Sequence, residues 1–167
     1  NLAGPLSPVI RGITIEGYDY GVFVGGSGDG SLVGDYFDEA SGNWVLRNVT
    51  VRDTGSQGIE TSEGVGNWRI EDSRVQNTTY EGIYADGASG EWIIEDTVVT
   101  RTGRDGILAR NTVEKWIVRD VTIENVSGVG IEAGFNSADW VVQNTTIEHS
   151  SGGISAAETS GNWLVTG

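Results

Sequence analysis

The sequence has no cysteine, no methionine, two prolines and a single lysine, Lys115. Without cysteine there are no disulfides, no zinc–thiolate centres and no thiol nucleophile. Basic residues are scarce, ten against 24 Asp and Glu, for a net charge of −14. That balance argues against a partner built on phosphates, whether nucleic acid or an anionic membrane surface. No apolar run approaches the ~20 residues of a membrane span. The start, Asn1-Leu2-Ala3-Gly4, lacks the basic-then-apolar order of a secretory leader, and without an initial methionine the chain reads as a mature or excised piece.

What is present is glycine, 26 residues, and tryptophan at a fixed interval. Tryptophan falls at 44, 68, 92, 116, 140 and 163, so the spacing is 24 four times and then 23. A period in the twenties marks a solenoid whose repeats bury one another. Counting Trp as position 0, position 2 holds Ile10, Leu46, Ile70, Ile94, Val118, Val142 and Val165. Position 7 holds Ile15, Val51, Val75, Val99, Ile123 and Ile147, and position 15 holds Val22, Ile59, Ile83, Ile107, Ile131 and Ile154. Short β-branched stretches with polar neighbours predict three strands per repeat and no helix. Position 4 carries Asn48, Asp72, Asp96, Asp120 and Asn144, residue types that tolerate a left-handed bend. Gly58, Gly82, Gly106 and Gly130 recur at position 14, ahead of the third strand. The expected architecture is an all-β, single-stranded parallel β-helix of about seven rungs, ~24 residues each. It forms one domain over 1–167: a lead-in at 1–7, a divergent first rung at 8–24, a loop insertion at 25–43 and regular rungs over 44–167, the last incomplete.

The three-strand rung, the Asn/Asp corner and the apolar stacks resemble the right-handed parallel β-helix superfamily, which includes pectate-lyase-like enzymes, NosD-type surface repeats and phage tailspikes. The likeness runs from Pro8 to Gly167 and implies a right-handed coil. It also implies a cleft over the third strand, whose outward position 16 carries Phe23, Glu60, Tyr84, Leu108, Glu132 and Ser155. The superfamily's catalytic motifs have no counterpart: there is no Asp-Asp, no Gly-His-Gly and no Asp-Pro-His, and Arg69-Ile70-Glu71 ends in the wrong residue. The only histidine, His149, falls at a turn position.

Candidate chemistry is sparse. Glu60 and Glu132 would stand three rungs apart, roughly 14 Å, beyond the ~5–9.5 Å that paired glycosidase carboxylates need. Glu81 and Asp105, at position 13 of adjacent rungs, are the better acid candidates, set against neutralisation by Arg104 and Arg110. With Asp86, and with Asp29 in the insertion, they are also the candidate ligands should the chain take calcium; no other cofactor is expected. Phe23, Tyr84, Tyr36 and Glu132 are the candidate sugar contacts. Asn48, Asn77, Asn125 and Asn144 begin Asn-x-Ser/Thr sequons, with Asn77 and Asn125 on the wider turn.

The acid excess and arginine-over-lysine bias resemble proteins of salt-loving archaea, whose self-repulsion salt screens. Outward position 1, with Val9, Val45, Arg69, Ile93, Ile117, Val141 and Leu164, is a mostly apolar stripe. Stripe and open ends point to self-association. The leading expectation is therefore a non-catalytic extracellular or cell-surface β-helix, glycosylated and filament-forming. A polysaccharide-binding or polysaccharide-degrading module is the alternative, and a viral tailspike-like receptor-binding helix the third.

Overall fold

The computed structural model describes residues 9–25, 35–38, 43–62, 66–87, 90–159 and 161–167, with the backbone alone for 35–38. The first turn is β1 (Val9–Arg11), β2 (Thr14–Glu16) and β3 (Val22–Gly25), followed by β4 (Asp35–Asp38). Five tryptophan-led turns come next. They are β5 (Trp44–Arg47), β6 (Thr50–Thr54) and β7 (Ile59–Thr61); β8 (Trp68–Glu71), β9 (Arg74–Thr78) and β10 (Ile83–Asp86); β11 (Trp92–Glu95), β12 (Val98–Thr102) and β13 (Ile107–Arg110). The last two are β14 (Trp116–Arg119), β15 (Thr122–Glu124) and β16 (Val129–Gly134), then β17 (Trp140–Gln143), β18 (Thr146–Glu148) and β19 (Gly152–Ala157). β20 (Trp163–Thr166) opens a further turn. The regular turns thus number five, and the expected seven rungs include the divergent first turn and the incomplete last one.

Each strand pairs in parallel with its counterpart one turn away, which makes three sheets. The first runs β1-β5-β8-β11-β14-β17-β20, the second β2-β6-β9-β12-β15-β18, and the third β4-β3-β7-β10-β13-β16-β19. Among the described residues there is no helix, and so none long and apolar enough to cross a membrane. The 24-residue period sets the register: Trp68 pairs with Trp44 and Trp92, and Ile94 with Ile70 and Val118. The insertion, expected to be a loop, contains a strand. β4 pairs with β3 on the side away from β7, so the third sheet extends one strand past the first turn.

Alternation decides what is buried. Trp44, Trp68, Trp92, Trp116 and Trp140 point inward with the position-2, position-7 and position-15 columns and form one continuous core. The position-1 stripe faces out, half-buried from Val45 to Val141 and exposed at Val9 and Leu164. Two corners hold left-handed backbone in every regular turn. At position 4, Asn48, Asp72, Asp96, Asp120 and Asn144 have φ between 46° and 54°. At position 9, Asp53, Asn77, Arg101, Asn125 and His149 have φ between 52° and 58°. Asn and Asp take this conformation at little cost, whereas Arg101 and His149 pay for a crowded Cβ.

The position-14 glycines sit where consecutive turns touch. A Cβ on Gly82 would lie 2.4 Å from Val99 Cγ1 and 2.7 Å from the Gly106 carbonyl oxygen. Backbone cannot move aside there without parting two turns. Gly82→Ala is therefore expected to lose ~1–3 kcal/mol, the cost of overpacking. Gly153→Ala, whose Cβ meets nothing within 4 Å, should stay within ~0.5 kcal/mol of the parent. Urea unfolding of both variants is the check, and equal losses would refute the close-approach account.

Candidate functional site

The outward face of the third sheet gathers most of the charged residues singled out from the sequence. Pairing places Phe23, Glu60, Tyr84, Leu108, Glu132 and Ser155 in one column, with Asp86 and Arg110 adjacent in the column two residues on. Glu81 and Asp105 enter from the turns that precede β10 and β13.

Tyr84 is the centre of a closed network. Its hydroxyl donates to Asp86 Oδ2 at 2.7 Å, and the Arg110 guanidinium lies 5.2 Å over its ring. Arg110 Nη2 stands 3.5 Å from the same Asp86 oxygen, while Asn111 Nδ2 donates to Asp86 Oδ1 at 2.9 Å. Tyr84 is only 8% exposed, so its ring is covered and its phenol is raised above the ordinary value, by burial first and then by the bond to Asp86.

Glu81 and Asp105 are engaged differently. Glu81 is buried, accepts from Gln57 Nε2 at 3.1 Å and faces Arg104 Nη1 at 3.6 Å. Asp105 Oδ1 accepts the Val129 N–H at 2.7 Å. Burial raises the Asp105 carboxyl, the Val129 bond opposes that, and the charge of Glu81 adds to it. Arg104 thus faces Glu81, and Arg110 faces Asp86 on the adjacent turn.

Glu60 stands apart. It is half-buried and makes no hydrogen bond or ion pair with the described residues. Its carboxyl is pushed up to about 7, by burial first and then by the charges of Asp86 and Glu81. Glu132, three strands along, is also raised, by burial and by Asp105. Glu60 and Glu132 do not come together.

Among the described residues no three acidic or histidine side chains gather as a metal ion would need. Asp29 lies outside those residues, as does the side chain of Tyr36. Asn48, Asn77, Asn125 and Asn144 are all exposed and all left-handed. Asn77 Nδ2 is engaged with Asp53 Oδ1 at 2.8 Å, and Asn144 Nδ2 with Asp120 Oδ1 at 3.3 Å.

Two features escaped the sequence reading. One is a chain of ion pairs beside the first corner, Arg47–Glu71–Arg69–Glu95–Arg119, with Arg69 Nη1 at 3.1 Å from Glu71 and 3.4 Å from Glu95. Burial works to raise Glu71, but hydrogen bonds from Arg69 and Arg47 hold it below the ordinary carboxylate value. Position 3 reads Arg, Glu, Glu, Arg, and two acids flanked by two bases was the available signal. The other is an open cleft of about 350 Å³ lined by Val113, Glu114, Lys115, Ala138, Asp139 and Gly161, on the turns that lead into β14, β17 and β20.

The model of the right-handed β-helix region matches residues 58–166. The chain belongs to the right-handed β-helix family. No curated protein and no solved structure matches it.

For this β-helix, Glu60 makes stability depend on pH in a definite direction. Its folded value, about 7, exceeds the ordinary value of 4.5, so between the two the folded state binds more protons. Stability therefore falls as pH rises through that window. Glu60→Gln should remove this slope and gain on the order of 1–2 kcal/mol at pH 8, after allowance for solvent screening. Denaturant melts at pH 5 and pH 8 test it, and an unchanged slope would refute it.

Proposed function

We propose that the chain is a non-catalytic structural β-helix of an extracellular surface, and that copies associate end to end. One observation carries this reading. The carboxylates of the third-sheet face are committed to holding turns together: Glu81 to Gln57 and Arg104, Asp86 to Tyr84, Arg110 and Asn111, and Asp105 to the Val129 N–H. The two without such partners, Glu60 and Glu132, are three turns apart, roughly 14 Å, where glycoside hydrolysis wants ~5–9.5 Å. The acid excess fits a salty exterior, and the exposed sequons fit glycan attachment. For the association, β20 supplies Trp163, Leu164 and Val165, three apolar side chains that are all exposed.

A polysaccharide-active module is the second reading, favoured by Glu60, a carboxyl that keeps its proton near neutral pH and can pass it to a glycosidic oxygen. Against it, Arg110 covers the Tyr84 ring that a sugar would stack on.

Light scattering after size exclusion, at low and at molar NaCl, with electron microscopy of the excluded peak, separates these readings. Ordered fibres with an axial repeat of roughly 33 Å, the rise of about seven rungs, are expected. A monomer under every condition overturns end-to-end association. Cleavage of polyuronates or neutral glycans that Glu60→Gln abolishes overturns the non-catalytic reading.

A further inference from the structure

The outward face of the first sheet differs from the rest of the surface in charge. Over β5, β8, β11, β14, β17 and β20, with the residue that precedes each strand, it carries four bases, Arg47, Arg69, Lys115 and Arg119. It carries four acids as well, Glu71, Glu91, Glu95 and Asp139. The face is thus neutral on a chain of net charge −14, so it is where a second copy of so acidic a chain meets least repulsion. Its middle is apolar, because Val45, Ile93, Ile117 and Val141 stand in one half-buried outward column. We infer that two copies pair through this face with their solenoid axes antiparallel, about a two-fold that runs parallel to the strands between β11 and β14.

The side chains select that axis. It sets Ile93 on the partner's Ile117 and Ile117 on the partner's Ile93, an apolar centre of four isoleucines. On one side of this centre Glu95 meets the partner's Arg119, and on the other Glu91 meets the partner's Lys115. Each contact occurs twice by symmetry, so a charged rim flanks an apolar middle. Glu91 and Lys115 are exposed and form no ion pair with any described residue, although they stand on adjacent turns. Both are therefore available. Arg69, engaged with Glu71 and Glu95, turns its apolar stem to the partner's Val141. At the outer corner Asp96 faces the partner's Asp120, exposed residues whose repulsion salt screens.

Other axes fail on the same residues. Between β8 and β11 the two-fold sets Glu71 on Glu95 and Arg47 on Arg119. On β11 or on β14 it sets Glu95 or Arg119 on its own copy. Between β5 and β8 it sets Val45 on Arg69. Between β14 and β17 it pairs Lys115 with Asp139 but leaves Glu95 and Arg119 facing Thr166 and Gln143. A parallel pairing, with the two-fold along the apolar column, sets Arg69 on Arg69. Six strands ~4.8 Å apart and six residues of ~3.3 Å make a face of roughly 29 by 20 Å. Both copies together bury about 1,200 Å², above the ~1,000 Å² of a specific interface. The pairing uses neither end of the solenoid and so coexists with end-to-end association.

Because the chain has no cysteine, single-cysteine variants report the arrangement. Val113 is 65% exposed in the turn before β14, and Val9 is 55% exposed in β1. Across the two-fold, Val113 stands one rung from its copy, and Val9 seven rungs from its own, roughly 34 Å. The probe is a bis-maleimide whose reach is one sheet spacing plus one rung, roughly 15 Å. Val113→Cys is expected to give a covalent dimer and Val9→Cys none. A parallel pairing links Val9→Cys, and end-to-end contact alone links neither; either result overturns the proposal. Sedimentation equilibrium of the soluble fraction then tests the charges. Lys115→Glu and Glu91→Lys are each expected to weaken the parent's dimer roughly tenfold or more. Mixed in equal amounts they should dimerise again, because each altered charge then meets its opposite on the other chain, a rescue that misfolded chains would not show. A parent that stays monomeric, or a mixture no tighter than its components, overturns the pairing.

Discussion

Parallel pairing in register every 24 residues is the constraint from which the rest follows. Each side chain meets its own equivalent ~4.8 Å above and below, so a column persists only if its residue tolerates its own copy at that distance. Valine and isoleucine do, because their branched faces nest. Indole does, because its faces stack. Glycine does where a carbonyl of the next turn comes too close for any Cβ, as at Gly82. Like charges do so only where opposite charge or water offsets them: at position 3, Glu71 and Glu95 are neighbours in register, flanked by Arg47 and Arg119 and bridged by Arg69, and at position 4 Asp72, Asp96 and Asp120 stack at an exposed corner.

The tryptophan column shows which term wins when a residue is stacked at some cost. Five buried indole N–H groups lack acceptors, a loss of ~1–3 kcal/mol each. Burying an indole removes ~150–250 Å² from water, worth ~4–6 kcal/mol. Burial outweighs the missing bond at every turn, so the column is net favourable even with its donors idle. Stability in a solenoid is close to a sum over neighbouring turns, and each turn therefore contributes its own share of this margin.

Periodic features were legible in the sequence and aperiodic ones were not. The Trp spacing, the three β-branched columns and the Asn/Asp corner yield the sheets, the register and the inward face without a coordinate. Arg101 and His149 at the second left-handed corner were legible only as members of a position, since neither residue type signals positive φ. β4 was missed because residues 35–38 belong to no repeat. The charged network was half-visible: the sequence places Arg110 and Asp86 on adjacent turns, but that Arg110 lies over Tyr84 depends on side-chain packing. The raised carboxyl of Glu60 is less legible still, because its cause is burial, which no spacing rule reports.

The outward column of the third sheet is where the repeat constraint is relaxed, and this explains Glu60. Its neighbours in register are Phe23 and Tyr84 rather than two more carboxylates. A uniform glutamate column would place charges one rung apart and share its protons along the whole face. Aromatic neighbours do the opposite: they strip water from one acid and keep the next acid of that column, Glu132, three turns away. The coupling that remains comes from outside the column, from Asp86 and Glu81. Both are held by partners of their own, so their places beside Glu60 are set by the turns that carry them. A solenoid acquires an individual titrating group only by interrupting its own periodicity in this way.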